Sequence, residues 1–339
     1  MDRKTCEKIK QMSEYLDDES IANALKLPVD VVRKAVHGQI EDIKDDRTNS
    51  VTRVRVLEMP KFVRNKTVTA VSPGGGKGKT TILTSLAVLA ALNCSSHRPV
   101  VVADFSEFSK AATMLGLKPI EALLQEYEPI PTALHWPDGE PGQDEVLENL
   151  TARHSLIQNL HFIHGTLVAG MECVPEKIIN ITKALQKNFE MVFIDLPPNP
   201  EAILPLCDVV LVVLTPDYFS LEGLFQLMPL LERWSVQDKA IPVLNRISPN
   251  SLNPGQCRSV LKNNFALPVK FEGFIPEDPN LCREAPYVTR ESQFAVEVRK
   301  LLGILCPDWN KKKQNGGLSS MLKKFVRSQE GKLTWTRRY

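Results

Sequence analysis

A glycine-rich stretch over residues 71–81 has the residue types needed to bind phosphate groups; it reads Val-Ser-Pro-Gly-Gly-Gly-Lys-Gly-Lys-Thr-Thr. In such a turn, successive backbone N–H groups converge on a concave site that attracts anions, and the N-terminus of a following helix strengthens the attraction. Gly78-Lys79-Thr80 matches the end of the Walker A motif, in which the lysine contacts the β- and γ-phosphates and the threonine binds Mg²⁺. Pro73 stands where that motif has its first glycine. We therefore predict a site for a nucleoside triphosphate with magnesium.

The segments on both sides of this loop have the patterns of a strand and a helix. Residues 67–71 form a short segment rich in β-branched side chains, as expected of a buried strand. Residues 80–92 place apolar side chains at helical spacing, namely Ile82, Leu83, Leu86, Leu89 and Ala90. The order strand, loop, helix is the context that the Walker A motif requires, and it favours a phosphate loop over a flexible glycine hinge.

The chain from residue 66 to residue 306 alternates apolar strands with helical stretches. The predicted strands are 67–71, 99–103, 191–195, 209–214, 240–244 and 269–275. Most are continuous apolar runs, which is the composition of strands buried on both faces of a parallel sheet. We predict the α/β class: a P-loop NTPase with a mostly parallel sheet flanked by helices, a small helical N-terminal module and a basic amphipathic C-terminal tail.

Length, charge and cysteine usage set limits on the class of protein. The 339 residues suffice for one large domain with appendages, which we place at 1–45 (helical module), 46–65 (linker), 66–306 (nucleotide-binding domain) and 307–339 (basic tail). A net charge of +2 neither indicates nor excludes a nucleic-acid partner. Seven cysteines without C-x-x-C spacing indicate reduced thiols in a cytoplasmic protein. We recognise no signal sequence and no apolar run long enough to span a bilayer.

Further motifs resemble those of the ParA/MinD family, the deviant-Walker-A branch of P-loop ATPases, and occur in the family's order. Residues 75–81 fit the family's loop K-G-G-x-G-K-T at all but its first position, and residues 191–198 resemble its Walker B strand and the switch that follows. Residues 213–217 resemble the next strand end, 244–246 the adenine-reading segment, and 275–278 the loop that covers the base. Within the family, the chain most resembles membrane- or pole-positioning members such as the CpaE/TadZ-like proteins.

This resemblance implies that the ligands are ATP or ADP and Mg²⁺, and it assigns roles to individual residues. Lys79 and Asp104 would be catalytic, and Thr80 and Asp195 would hold the metal. The implied nucleotide-binding residues are Gly75, Gly76, Lys77, Gly78, Lys79, Thr80, Thr81, Asn245, Arg246, Pro276 and Glu277. Taken alone, an Asp after an apolar strand is weak evidence, because any βα turn can have one. Asn245 either contacts adenine or caps a loop.

The chain departs from the family pattern at two positions. Gly74 replaces the signature lysine, which reaches across a dimer to the partner's phosphates; Lys77 either partly replaces that charge or faces solvent. Ser106 replaces the second Asp of switch I, which usually orients the attacking water, and Asp104 or Glu107 could serve instead. Phosphoryl transfer depends mainly on positioning and electrostatics, so the loss of such residues slows the reaction without preventing binding. We therefore expect tight Mg-ATP binding with hydrolysis that is slow, or absent without a partner.

Residues 17–38 resemble a helix-turn-helix, with a turn near Leu27-Pro28, Asp30 as N-cap of the second helix and Gly38 as its C-cap. A DNA reader of this kind would place its second helix in the major groove. Residues 1–50 contain nine Lys/Arg against eleven Asp/Glu, which disfavours contact with phosphates. We therefore favour an unknown protein partner over DNA for this module.

The C-terminal tail is basic and amphipathic. Residues 309–339 contain nine Lys/Arg and a single acid, Glu330. Within 317–327 the apolar side chains recur at i, i+3, i+4, i+7 and i+8, namely Leu318, Met321, Leu322, Phe325 and Val326. Such a stripe beside basic residues is typical of a helix that lies on an anionic membrane surface, and the alternative is that it docks on the protein's own body. Two tails on an ATP-bound dimer would bind more tightly than one.

Together these features predict a cytoplasmic ATPase, peripheral to the inner face of the cell membrane, that acts as an ATP-dependent homodimeric switch. Such a switch would position a septum, pilus or secretion apparatus. Two alternatives use the same loop: a DNA-partitioning ATPase that binds DNA through its terminal segments, and a scaffold that binds nucleotide without hydrolysing it.

Overall fold

The fold is known from a computed structural model. It describes residues 9, 12–13, 17–25, 27–36, 65–93, 99–106, 110–116, 131–154, 157–165, 174–197, 199–279, 281, 292–307 and 335–336. The chain divides into two compact units, Met1–Lys61 and Phe62–Tyr339. Each unit has a core of its own.

The larger unit is built on one sheet. Its described strands are β1 (Lys66–Val71), β2 (Val100–Asp104), β3 (Ala152–His154), β4 (Leu160–His164), β5 (Met191–Asp195), β6 (Val209–Leu214), β7 (Ala240–Ile247), β8 (Gly273–Pro276) and β9 (Trp335–Thr336). They lie in the order β8-β7-β6-β1-β5-β2-β4-β3-β9. The pairs from β8 to β4 are parallel, and β3 pairs antiparallel with both β4 and β9. The predicted mostly parallel sheet is therefore confirmed.

Helices cover both faces of this sheet, as predicted. Those of the described residues are α3 (Lys79–Ala91), α4 (Lys110–Met114), α5 (Gln143–Glu148), α6 (Pro175–Asn188), α7 (Tyr218–Arg233), α8 (Pro254–Phe265) and α9 (Gln293–Leu305). Two further helices, α1 (Asp18–Leu25) and α2 (Val29–Val36), belong to the smaller unit. One apolar cluster lies between the sheet and α3, α4 and α9. A second lies between the opposite face and α5 to α8. Strands covered on both faces must be apolar throughout, which explains the continuous runs in the sequence.

Helix α3 is enclosed over most of its length. Its residues 82–91 are all buried, including the five whose helical spacing predicted an apolar face. A helix that is apolar on all sides lies inside a protein rather than on its surface. Its N-terminus, where the phosphate loop ends, is therefore held in a fixed place against the sheet.

The smaller unit contains two short helices, α1 (Asp18–Leu25) and α2 (Val29–Val36). They enclose a small core of Ile9, Ile21, Ala22 and Val32. Asp17 caps α1, since its Oδ1 accepts from Ser20 N at 2.7 Å. The sequence analysis expected two helices over residues 17–38, and the structure has two there; that they form a helix-turn-helix module stays a prediction. Gly38 lies outside the described residues.

The prediction that Asp30 is the N-cap of the second helix is wrong. Val31 N and Val32 N donate to the carbonyl of Pro28 at 3.0 and 3.2 Å. Helix α2 therefore begins at Val29, and Asp30 lies in its first turn. An acidic residue there still interacts favourably with the helix dipole.

The sheet differs from the sequence prediction at three places. One is β9, whose residues the sequence analysis assigned to the C-terminal tail. Strands β3 and β4 were not predicted, because His161 and His164 interrupt the apolar run of β4; the fold buries both rings. The strand predicted at 269–275 is displaced to β8, at Gly273–Pro276. Leu267 N donates back to Leu261 O of α8, so the preceding segment stays on the helix and pairing with β7 starts only at Gly273.

Within the described residues, no helix is both long and apolar enough to cross a bilayer. The predicted amphipathic segment 317–327 lies outside them. Cys207, Cys257 and Cys306 are described, and all three are buried free thiols.

Three histidines are buried around β3 and β4. Burial lowers the pKa of His154 to about 4 and those of His161 and His164 to about 3, and the charge of Arg153 adds to the effect on His161. His161 Nδ1 lies 2.9 Å from Thr151 Oγ1. The folded chain thus keeps these rings neutral at a pH where an exposed histidine, with a pKa near 6.5, takes up a proton.

We expect the free energy of unfolding to fall as the pH drops from 6.5 towards 4, because only the unfolded chain then protonates these histidines. Each buried histidine lowers the free energy of unfolding by about 1.4 kcal/mol for every pH unit of decrease in that range. Urea unfolding of wild type and His161→Gln across this range measures the effect, and the variant should show a slope smaller by about one proton. The exposed His135 supplies the control: a His135→Gln variant that reduced the slope as much would contradict the assignment to buried rings.

Candidate nucleotide-binding site

The phosphate loop joins β1 to α3, and its residues Gly74, Gly75 and Gly76 are exposed. Gly76 and Gly78 have φ values of 71° and 94°, which favour glycine. Gly78 is the N-cap of α3, and no side chain caps this helix. A Cβ added at Gly74, Gly75 or Gly76 would meet no atom within 4 Å, so there is space beside the loop. Uncapped amides at the start of a long helix suit the polyphosphate of a nucleotide.

Lys79 lies against the start of this loop. Its Nζ donates to Ser72 Oγ at 2.9 Å. Burial lowers the pKa of Lys79; the charge of Asp195 opposes this effect and that of Lys110 adds to it. Since a partly desolvated ammonium gains most from an anionic partner, a phosphate oxygen is a better partner for Lys79 than the Ser72 hydroxyl.

Thr80 and Asp195 meet beside the loop, as the metal-site prediction requires. Strand β5 runs parallel to β1, so its last residue lies next to the first turn of α3. Thr80 Oγ1 donates to Asp195 Oδ2 at 2.6 Å. Burial raises the pKa of Asp195, while the Thr80 hydrogen bond and the charges of Lys79 and Lys110 oppose the rise.

These two oxygens fit a magnesium ion that also binds phosphate. Mg²⁺ is usually held by one or two protein oxygens, with waters and substrate phosphates completing its shell. In the described part of the chain, no group of three or more His, Cys, Asp or Glu side chains could hold a metal. The nucleotide would therefore supply part of the coordination, with Thr80 and Asp195 fixing the ion's position.

Asp104 is fully buried at the end of β2, where it is the register partner of Asp195. Its Oδ1 accepts from the Ser106 backbone N at 3.0 Å and from the Ser106 hydroxyl, and its Oδ2 accepts from Ala111 N at 3.0 Å. Burial and the charge of Asp195 raise the pKa of Asp104 to about 6. These contacts show a structural role, which links Ser106 to the start of α4; the catalytic role stays a prediction.

Asn245 holds the phosphate loop from the end of β7. The side chain is buried, and its Nδ2 donates to the backbone carbonyl of Lys77 at 2.8 Å. A Cβ at Gly78 would overlap this Nδ2. Because the φ of Gly78 is also positive, both the space and the backbone conformation require glycine there. The sequence alternatives for Asn245 thus resolve in part: it supports a loop, and its contact with adenine stays a prediction.

The other predicted base-binding residues lie at the same corner of the sheet. Arg246 has a φ of 59° at an irregularity in the pairing of β7 with β8. Pro276 is the register partner of Ile247, and Glu277 N donates to Ile247 O at 2.9 Å. The fold therefore brings Arg246, Pro276 and Glu277 near Asn245, while their contact with a base stays a prediction.

Lys77 extends its side chain towards the end of β6. Its Nζ donates to Thr215 Oγ1 at 2.9 Å and lies 3.4 Å from Asp217 Oδ2. The sequence left two alternatives for Lys77, partial replacement of the signature lysine's charge or exposure to solvent. The structure shows an ion pair with Asp217 instead. Neither Thr215 nor Asp217 had a predicted role, although both follow a buried strand at the edge where the loop lies.

Helix α7 packs directly on the loop. A Cβ added at Gly223 would lie well inside the van der Waals distance from Pro73 Cβ. Pro73, the unusual residue of the motif, is therefore a contact surface for α7, and α7 has a glycine where the two meet.

The glycine-rich loop, the hydrogen-bonded pair Thr80–Asp195 and the half-buried Lys79 all lie at the carboxyl ends of parallel strands. In open α/β sheets, ligands bind at that edge. A family model described as an AAA domain matches residues 65–243, more than half of the chain. The chain belongs to this family. With the fold described above, it is a ParA/MinD-type P-loop ATPase.

Solved structures of this ATPase type have the same fold. The complex of the cell division proteins MinC and MinD from Aquifex aeolicus gives a TM-score of 0.52 at 18% identity, over 71% of this chain and 96% of that chain. The septum site-determining protein MinD from Pyrococcus horikoshii OT3, complexed with Mg-ADP, gives a TM-score of 0.50 at 19% identity, over 74% of this chain and 99% of that chain. The cell division ATPase MinD from Pyrococcus furiosus gives a TM-score of 0.50 at 21% identity, over 71% of this chain and 98% of that chain. A search of curated proteins gives no match.

We expect Gly223→Ala to lower the melting temperature of this ATPase, even though alanine favours a helix interior by about 1 kcal/mol over glycine. The added Cβ must displace α7 or the loop, and such overpacking costs about 1–3 kcal/mol. Thermal unfolding of Gly223→Ala in wild type and in a Pro73→Gly background measures the contact. Alanine should stabilise the second background, where the opposing Cβ is gone; equal effects in both would show that Pro73 does not constrain α7.

Proposed function

We propose that this ATPase is a slowly hydrolysing, ATP-dependent dimeric switch that positions cellular machinery at the membrane from the cytoplasmic side. The observation that supports it most is the 2.6 Å contact between Thr80 and Asp195, at the uncapped start of α3. In our proposal, this pair binds the metal beside the amides that hold the β- and γ-phosphates. The homologous fold of a MinD complexed with Mg-ADP agrees with this use of the site.

The geometry of Asp104 supports slow hydrolysis. Both carboxylate oxygens already accept hydrogen bonds, from Ser106 and from Ala111. Turning this group towards an attacking water would break those bonds inside the protein, where a lost hydrogen bond is costly. A partner that shifts Ser106 or the start of α4 would accelerate the reaction.

Exposed aromatic residues near the loop support the dimeric switch. Tyr218, Phe219 and Phe225 are exposed on α7, Phe219 by 82%. The ring of Phe225 stacks on that of Phe265 from α8, with centroids 5.6 Å apart. Large exposed apolar groups that cluster on a surface usually mark a protein interface. In our proposal, a second copy of the chain covers them in the ATP-bound state.

The membrane part of the proposal rests on the sequence of residues 317–327, between α9 and β9. Each basic residue near an anionic lipid surface contributes about 1 kcal/mol. Burying the apolar stripe in the interface adds to this, although a short helix is only marginally stable in water. A single tail then binds weakly, and two tails on a dimer bind much more strongly because the second is held at high effective concentration.

Calorimetry with ATP and ADP in magnesium buffer tests nucleotide binding. Wild type should bind both, and Lys79→Ala should weaken binding at least about tenfold because the half-buried ammonium is lost. Phosphate release that Lys79→Ala abolishes would exclude the non-hydrolysing scaffold, and release that survives would indicate a contaminating enzyme. No heat of uptake by the wild type would overturn the proposed function.

Liposome sedimentation tests the membrane role. Wild type with ATP should sediment with anionic vesicles, and the paired change Leu322→Glu with Phe325→Glu should prevent it by removing two groups of the stripe. The control is Ser319→Glu with Ser320→Glu, which changes the charge equally beside the stripe and should weaken sedimentation far less. Equal loss in both pairs would show that charge alone acts, and a gel shift with DNA that weakens steeply with salt would favour DNA partitioning.

A further inference from the structure

Lys77 has a backbone and a side chain that are held by different strands. Its carbonyl accepts from Asn245 at the end of β7, at 2.8 Å. Its ammonium contacts Thr215 at 2.9 Å and Asp217 at 3.4 Å, just beyond β6. The residue therefore connects the middle of the phosphate loop to two neighbouring strand ends, and the positive φ values of Gly76 and Gly78 allow the loop to turn on either side of it.

Asp217 divides its two oxygens between two tasks. Oδ1 accepts from Ser220 N at 2.9 Å and so caps α7. Oδ2 accepts from the Thr215 hydroxyl and faces the ammonium of Lys77. These hydrogen bonds and the charge of Lys77 outweigh the effect of burial and hold the pKa of Asp217 below its usual value, so the cap is a carboxylate.

The position of this carboxylate has an electrostatic cost for a phosphate site. Asp217 lies within the reach of one lysine side chain from the loop backbone, inside the Debye length of about 10 Å at 0.1 M salt. A polyphosphate on the loop and an uncompensated carboxylate there would repel each other. Lys77 is only 22% exposed and Asp217 44% exposed, so water screens the pair only in part.

We infer that Lys77 assists nucleotide binding through Asp217: its ammonium neutralises the carboxylate that caps α7, and only its backbone contributes to the phosphate cradle. Lys77 and Asp217 are thus a positioning pair at the site. The inference rests on the proposed nucleotide binding. It also explains how a charged residue can cap α7 beside a phosphate site, because the loop itself supplies the cation that neutralises Asp217.

The alternative is that Lys77 leaves Asp217 and contacts phosphate directly. The two possibilities differ in what a second substitution does to a lysine variant. Asparagine is as good an N-cap as aspartate, so Asp217→Asn keeps the cap and removes only the charge. If Lys77 neutralises Asp217, then Asp217→Asn restores binding to a variant that lacks the lysine. If Lys77 binds phosphate, the double variant stays as weak as the single one.

The experiment is a double-mutant cycle on the full chain, with Kd for Mg-ADP and Mg-ATP measured by calorimetry. We expect Lys77→Gln to weaken binding about tenfold, and adding Asp217→Asn to return Kd to within about threefold of wild type. Lys77→Arg, which keeps the cation, should bind like wild type within the same range. The loss in Lys77→Gln should shrink at about 1 M salt, where the Debye length is near 3 Å.

A double variant as weak as Lys77→Gln, or a loss that is independent of salt, would overturn the inference. Thermal unfolding of each variant separates weak binding from poor folding. Failure of the proposed function is distinguishable, because in that case wild type itself would show no uptake of Mg-ADP or Mg-ATP.

Discussion

The parallel pairing of β1 with β5 and β6 is the constraint on which the site depends. It places the phosphate loop between two strand ends, with Asp195 on one side and the Thr215–Asp217 segment on the other. The three strands are buried on both faces, so their relative register is fixed by the packing of the whole sheet. The contacts of Thr80 with Asp195 and of Lys77 with Asp217 follow from that register.

The charged groups around the loop are poorly solvated because they are buried or half-buried. Burial raises the pKa of Asp195 and of Asp104, and it lowers the pKa of Lys79. Each shift means that the charged form is less favourable than in water. A divalent cation beside the acids and an anion beside the lysine would restore these charges, so the same burial that costs stability favours the binding of a metal–phosphate ligand.

The sequence predicted most strands of the sheet because burial on both faces leaves a continuous apolar run, as in β6. It missed β4, where His161 and His164 conceal the strand; in the folded chain both rings are buried, and His161 contacts Thr151. The phosphate loop, Thr80 and Asp195 were predictable because local spacing and motif order define them. Pro73 against Gly223 was not, because 150 residues separate the two positions and neither residue type indicates a contact.

By itself, the sequence determined that a phosphate loop lies between a strand and a helix, since this depends on glycines, a lysine and hydroxyls that are neighbours in the chain. It also determined the α/β class, through the alternation of apolar runs with helical patterns. Only the tertiary structure decided what Lys77, Asn245 and Asp104 contact, because each partner comes from another strand end or another loop. Side-chain pairing depends on which strands are neighbours, and strand order is a property of the packed sheet rather than of any local segment.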